Sequence, residues 1–141
     1  MSYLLLIIEP TGQRHERGLE AGRAAYDHMV RYAESLKSRG LLLGMNSLKA
    51  GGARLSGNGG KRAVVDGPFT EAKELVGGFW IWQVKSMDEA VEWLKRAPFD
   101  GGVEVTIRPA FEPEDFGKEL TPELCARGER LRAEVERQRG P

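Results

Sequence analysis

The chain opens on an unbroken apolar run, Tyr3 to Ile8, with β-branched residues at its end. It is too short for a helix and suits a buried strand. Tyr3, Leu5 and Ile7 point one way and Leu4, Leu6 and Ile8 the other, so both faces are apolar. Glu9-Pro10-Thr11-Gly12 breaks the run. From Leu19 to Lys37 the spacing turns helical. Ala21, Ala25, Met29, Tyr32 and Leu36 form one stripe, and Asp27, Arg31 and Glu34 lie away from it. Gly40 ends the helix in the usual C-terminal position. Leu41 to Leu48 reads as a second strand. Ala50 to Lys61 holds five glycines in twelve residues, the signature of a loop or long hairpin tip.

Arg62 to Val65 reads as a short strand and Gly78 to Lys85 as another, with Trp80 and Trp82 opposing Phe79 and Ile81. Ser86-Met87-Asp88-Glu89 is a capping-box pattern, and the helix it opens runs to about Ala97, where Pro98 stops it. Val103 to Arg108 alternates: Val103, Val105 and Ile107 on one face, Glu104, Thr106 and Arg108 on the other. The order is βαββαβ with an elaborated central hairpin, an α+β, ferredoxin-like plan. Two helices in that plan cover one face of the sheet. A strand that is apolar on both faces is buried on both, so a second copy of the sheet, in a homodimer, is the simplest cover for the other. Residues 1–112 form this domain. Residues 113–141 are an acidic, proline-containing linker and a charged C-terminal helix. That helix opens at Thr121-Pro122-Glu123 and carries Leu124, Leu131 and Val135 as its few apolar residues.

Composition narrows the classes. Lysine plus arginine equal aspartate plus glutamate at 21 each, which disfavours nucleic-acid binding through bulk charge. The single cysteine, Cys125, forms no intrachain disulfide and fits a reducing, cytoplasmic setting. No apolar stretch approaches the roughly 20 residues of a membrane helix, and the apolar start lacks a signal peptide's basic region. One cysteine with two scattered histidines, His15 and His28, does not make a closed metal site, so neither metal nor covalent cofactor is expected. The glycine-rich segment lacks a nucleotide-binding pattern, because Lys61 is followed by Arg62.

The stretch "VVDGPFTEAKELVGGFWIWQV", residues 64–84, resembles the signature of the DGPF, or YCII-related, family of small bacterial proteins. "YLLLII" at the start, "RGLLLGMNSL" closing the first helix and "VEVTIRP" at the end fit the same pattern, so the resemblance covers roughly residues 1 to 110. It implies a dimeric α/β barrel, two ferredoxin-like sheets face to face. The family's activity is mostly unassigned. Some YCII relatives resemble enzymes with a His–Asp pair, one of them a dehydrochlorinase, and some DGPF relatives neighbour extracytoplasmic-function sigma factors. In the YCII enzymes the histidine precedes the first helix's closing glycine by about eleven residues. Counting back from Gly40 gives Met29, with His28 one place away and so turned by roughly 100°.

Asp66 ends a strand, where a carboxylate can act as general base or hold a ligand cation; equally, it can bond the amides of the turn it opens. Gly67-Pro68 sets the exit direction. Thr70, Glu71, Lys73 and Glu74 crowd the loop that follows, between two strands of one sheet, and either line a cleft or form a solvated turn. Gly77-Gly78 lets backbones approach closely. Glu104 and Arg108 form a polar row that binds if it faces a barrel interior and does nothing if it faces water. His28, at the rim of its helix stripe, is the acid–base candidate, because imidazole is the side chain suited to proton transfer near neutral pH. Two functions follow: a small-molecule binder or enzyme with a cleft near Asp66, working by acid–base chemistry, or a non-catalytic dimeric regulatory module that contacts another protein.

Overall fold

The computed structural model describes residues 1–10, 18–58, 60–66, 74–99 and 102–139; of these, residues 58, 62, 65, 66, 74 and 75 are described by backbone alone. Contacts divide the chain into two units, Met1–Pro109 and Ala110–Pro141.

The first unit runs β1 (Ser2–Pro10), α1 (Leu19–Ser38), β2 (Leu42–Ser47), β3 (Ala53–Asn58), β4 (Lys61–Asp66), β5 (Glu74–Gln83), α2 (Met87–Leu94) and β6 (Glu104–Pro109). Four strands form one sheet in the order β2-β5-β1-β6, every neighbouring pair antiparallel. With β3 and β4 set aside, this is the ferredoxin-like βαββαβ arrangement. The glycine-rich segment, read as a loop or long hairpin tip, supplies a strand of its own, β3, which pairs with β4 from Ala53 opposite Asp66 to Asn58 opposite Lys61. The backbone hydrogen bonds of an antiparallel ladder do not depend on side chains, so glycines lower strand propensity without forbidding it. That ladder is a separate two-stranded sheet. The connection after Asp66 therefore joins β4 of one sheet to β5 of another, not two strands of one sheet.

The core lies on one face of the four-stranded sheet. Tyr3 and Leu5 of β1, Trp80 and Trp82 of β5, Tyr32 and Leu36 of α1, Ala90 of α2, and Val84 form one buried cluster. Trp80 stacks on Trp82 with centroids 5.3 Å apart, and Tyr32 leans on both, at 5.6 Å and 6.5 Å. Leu5 and Leu36 have no exposed surface, and each such side chain contributes about 1.5–3 kcal/mol. The indole N–H of Trp82 is buried and finds no acceptor among the described residues, which costs about 1–3 kcal/mol against that gain.

The opposite face is apolar too but incompletely covered. Leu4 is 36% exposed and Val76 43%, while Leu6, Ile8, Phe79 and Ile81 are half-buried. The alternation expected for β6 is present: Val105 and Ile107 pack against the core, whereas Glu104, Thr106 and Arg108 are exposed. The last three sit opposite Ile8, Leu6 and Leu4 of β1.

Helix ends follow their local chemistry. Ser86 caps α2 by accepting the Glu89 N–H at 3.1 Å. The Glu89 carboxylate reaches back one residue further than a capping box requires, to the Lys85 N–H at 2.8 Å. α2 ends at Leu94, earlier than the proline alone implied, and Lys95 to Ala97 continue as turns bonded to Val91, Trp93 and Leu94 carbonyls. Two guanidiniums lie over the Trp93 ring, Arg39 at 4.8 Å and Arg96 at 4.7 Å from its centroid. Its carbonyl accepts the Tyr32 hydroxyl, which ties α1 to α2.

In the second unit a 3-10 helix (Pro113–Glu119) precedes α3 (Pro122–Arg139). Thr121 accepts the Leu124 N–H at 3.2 Å and caps α3. Glu123 in the first turn and Arg137 and Arg139 in the last complement the helix dipole. No described helix is long and apolar enough to cross a membrane.

Burial pushes the Tyr32 phenol from its ordinary 10.0 up to about 12, partly opposed by the positive charge of Arg96. The folded chain then holds a proton that the unfolded chain releases above pH 10, so this contribution is complete below pH 10 and is lost as pH rises through about 12. Tyr32→Phe is expected to cost about 1 kcal/mol at neutral pH through the lost hydrogen bond. Denaturant melts of the two proteins should draw together between pH 10 and 12; a gap that stays constant over that window would remove Tyr32 from the linkage.

Candidate functional site

β1 keeps its alternation past the core. Tyr3, Leu5 and Ile7 face the helices, and the next residue in that register is Glu9. Between Ile7 and Ile8 the pairing with β5 slips: Ile7 opposes Gly78, Ile8 opposes Val76, and Gly77 is the extra residue. This is a β-bulge, which bends a strand and re-aims nearby side chains. The Glu9 carboxylate lies over the bulge. A Cβ on Gly77 would stand 2.6 and 2.7 Å from its oxygens. Gly78 lies against β2 instead: a Cβ there would stand 2.9 Å from the Asn46 carbonyl oxygen. The expected close approach at the glycine pair is thus two approaches, one to a side chain and one to a backbone.

Next to the bulge is a cavity of about 410 Å³. Ala21, Ala25, Tyr26 and Met29 of α1 form its roof, Ile7, Glu9, Gly77, Gly78 and Trp80 its floor, Met45, Asn46 and Ser47 one side, and Pro98, Phe99 and Val103 the other. Its volume is in the range of small-molecule sites. Trp80 and Phe99, with centroids 5.5 Å apart, give it an aromatic wall. Tyr26 is 72% exposed and Met45 41%, so the cavity is open on their side. Among the described lining residues Glu9 carries the only charge, with Ser47 and Tyr26 as further polar side chains; Asn46, paired with Phe79, belongs by register to the other face of the sheet.

The residues singled out from the sequence are not gathered there. His28 is exposed on α1 and is not among the described lining residues, whereas Met29, at the position counted back from Gly40, is. Glu104 and Arg108 are exposed on the sheet face away from the core. Asp66 ends β4 opposite Ala53, and Glu74 starts β5 opposite Pro10; their side chains lie outside the described structure. So do Gly67, Pro68, Thr70, Glu71, Lys73 and His15. Glu9 is masked in the sequence by Pro10, since Glu9-Pro10 has the form of a strand breaker. The available signal was its register: an acid in the place where the buried face of β1 would put a fourth apolar residue.

No group of three or more His, Cys, Asp or Glu side chains suited to a metal ion occurs among the described residues. Cys125, in the second unit, offers no ready thiolate. Desolvation raises its pKa, and so do the charge of Glu129, which its thiol faces at 3.7 Å, and that of Glu114.

Compared with known protein families, residues 1–111 match the YCII-related domain. No curated protein matches the chain. One similar solved structure is the 5-chloro-2-hydroxyhydroquinone dehydrochlorinase of Burkholderia phenoliruptrix AC1100 in complex with 2,5-dihydroxybenzoquinone. It is 19% identical, covers 81% of this chain and 98% of its own, and has a TM-score of 0.45.

The two glycines should respond differently to alanine. In Gly78→Ala the methyl meets the β2 backbone, and the expected loss is about 1–3 kcal/mol. In Gly77→Ala it meets the far end of a flexible side chain, which can swing away, so the loss should be smaller. Thermal denaturation of both variants checks the order.

Proposed function

The chain belongs to the YCII-related family, and from that premise we propose that it binds a small molecule in the cavity beneath α1. The observation that carries this reading is the cavity's composition: an aromatic pair, Trp80 and Phe99, in one lining with the polar side chains of Glu9, Ser47 and Tyr26. Apolar enclosure with a few placed polar groups is the usual make-up of a ligand site. The finer part of the proposal is that Asp66 and the segment from Thr70 to Glu74, with Glu71 and Lys73, close on the ligand. The chain's return point supports it. Glu74 pairs with Pro10, the neighbour of the cavity's acid. Asp66 and His28 are the proposed acid–base pair if the ligand is transformed as well as bound.

The protein is further proposed to work as a homodimer, joined through the sheet face that bears Leu4, Leu6, Ile8, Phe79 and Ile81. Partial exposure of this apolar face in the single chain supports that reading. Glu104 and Arg108 would then lie within the interface. The lone cysteine favours a reducing, cytoplasmic setting. A second reading, a non-catalytic regulatory module, is favoured by one feature. Leu124, Leu131 and Val135 are exposed on α3, at spacings that share one helix face.

A metabolite screen by thermal shift separates the two, since a ligand of the folded state raises its stability. Stabilising hits are expected; none at all would transfer the weight to the second reading. Asp66→Asn should then lower ligand affinity while leaving the melting temperature nearly unchanged. A loss of about 1 kcal/mol of stability with undiminished affinity would make Asp66 a turn acid only. If His28→Gln is silent in both assays, catalysis by that pair is excluded. For the dimer, Leu6→Asp should yield a folded monomer in sedimentation, whereas Leu5→Asp, on the buried face, should unfold the chain. A wild-type monomer at micromolar concentration would refute the interface.

A further inference from the structure

We propose that α3 pairs, antiparallel, with the α3 of a second copy of this chain. Charged residues occupy most of the circumference of this helix, and its larger apolar residues are gathered on one seam. Leu124, Leu131 and Val135 are 46%, 60% and 47% exposed, so the seam lies open. With Gly128 they recur at steps of four, three and four residues. That is the spacing of a coiled-coil seam, with Leu124 and Leu131 in its d positions and Gly128 and Val135 in its a positions. A glycine weakens the interior of a helix, and here the space beside it is empty: a Cβ on Gly128 would meet nothing within 4 Å. The seam therefore carries a notch, with its most exposed side chain, Leu131, on the next turn.

Notch and charge together select a copy of the same helix, running the other way. Antiparallel, Leu131 of each helix fills the notch at Gly128 of the other, and Leu124 faces Val135. A two-fold axis repeats both contacts. Parallel, glycine would face glycine and leave a void. The flanking charges agree. Arg127 and Glu134 border the seam on one side; both are exposed, and neither makes an ion pair among the described residues. Antiparallel, Arg127 of each copy faces Glu134 of the other, which gives two attractive pairs. Parallel, Arg127 would face Arg132 of the other copy, which repels. Two heptads are short for a coiled coil that holds alone. The pairing is therefore a second link between chains already joined, where effective concentration makes up for length; in this it rests on the homodimer reading. The face that favoured a foreign protein partner is thereby assigned to the chain's own copy.

A nitroxide label on the back of α3, placed by Arg137→Cys in a full-length Cys125→Ser chain, reads the pairing through its dipolar distance to the second copy. Antiparallel helices put the two labels about 30 Å apart, parallel ones about 20 Å. The longer, narrow distance is expected, and Leu131→Asp should abolish it. Arg127→Glu turns both attractive pairs repulsive, so the ratio of paired to unpaired helices should fall about tenfold. Arg127→Glu combined with Glu134→Arg should restore it, which a foreign partner or a parallel pair would not reproduce. Sedimentation of the same samples separates this inference from the homodimer reading. A dimer with no short distance between labels overturns the pairing and leaves the sheet interface standing. A monomer with no such distance overturns both. The parallel distance, or a double exchange that restores nothing, also overturns the pairing. So does a Leu131→Asp chain that melts earlier when no distance between copies was seen, because the seam then packs within its own chain.

Discussion

The first unit depends on two indoles stacked on one strand. Trp80 and Trp82, two residues apart on β5, project from the same face of the sheet and present a large apolar surface that must be covered. α1 and α2 supply the cover. The Tyr32 ring packs on both indoles while its hydroxyl bonds to α2, so one residue fastens the two helices to each other and to the sheet. The sidedness of the molecule follows. Residues of β1 in register with the indoles, Tyr3 and Leu5, are fully enclosed. Those out of register, Leu4 above all, keep surface exposed.

The cavity forms where this enclosure runs out. Past Ile7 the core-facing side of the strand has no further large apolar side chain to offer, the bulge at Gly77 bends its partner, and Gly78 lets β2 approach closely. The same glycines that remove bulk from the floor admit the Glu9 carboxylate. The void and its charge have one local cause.

Much of the fold was legible because it depends on period and punctuation. The six-residue run at Tyr3–Ile8, the α1 stripe, the Ser86 cap and the alternation of β6 are local signals, and each maps onto an element of the structure. An elaborated hairpin was legible in the middle of the chain, but its strand β3 was hidden because backbone pairing holds it and its glycines mimic a loop. The site was less legible still. Asp66 and His28 attract notice by residue type, yet type does not report which residues a three-dimensional cavity collects. One residue's difference along α1 places Met29 in the wall and His28 in solvent. Glu9 was readable only by following the β1 register past an apparent breaker. The bulge opposite it depends on a slip in pairing between strands more than sixty residues apart, which single-strand periodicity does not contain.

Trp80 belongs at once to the core stack and to the cavity floor. This double membership limits how such a protein can diverge. A lineage that altered the binding chamber by changing the floor would disturb the stack on which folding relies, and most such changes would be purged for instability before any new ligand was tried. Variation in what is bound is instead channelled to the rim, where exposed side chains such as Tyr26 and Met45 can change at little structural cost. Between related chains the chamber should therefore keep its indole base and differ at its mouth.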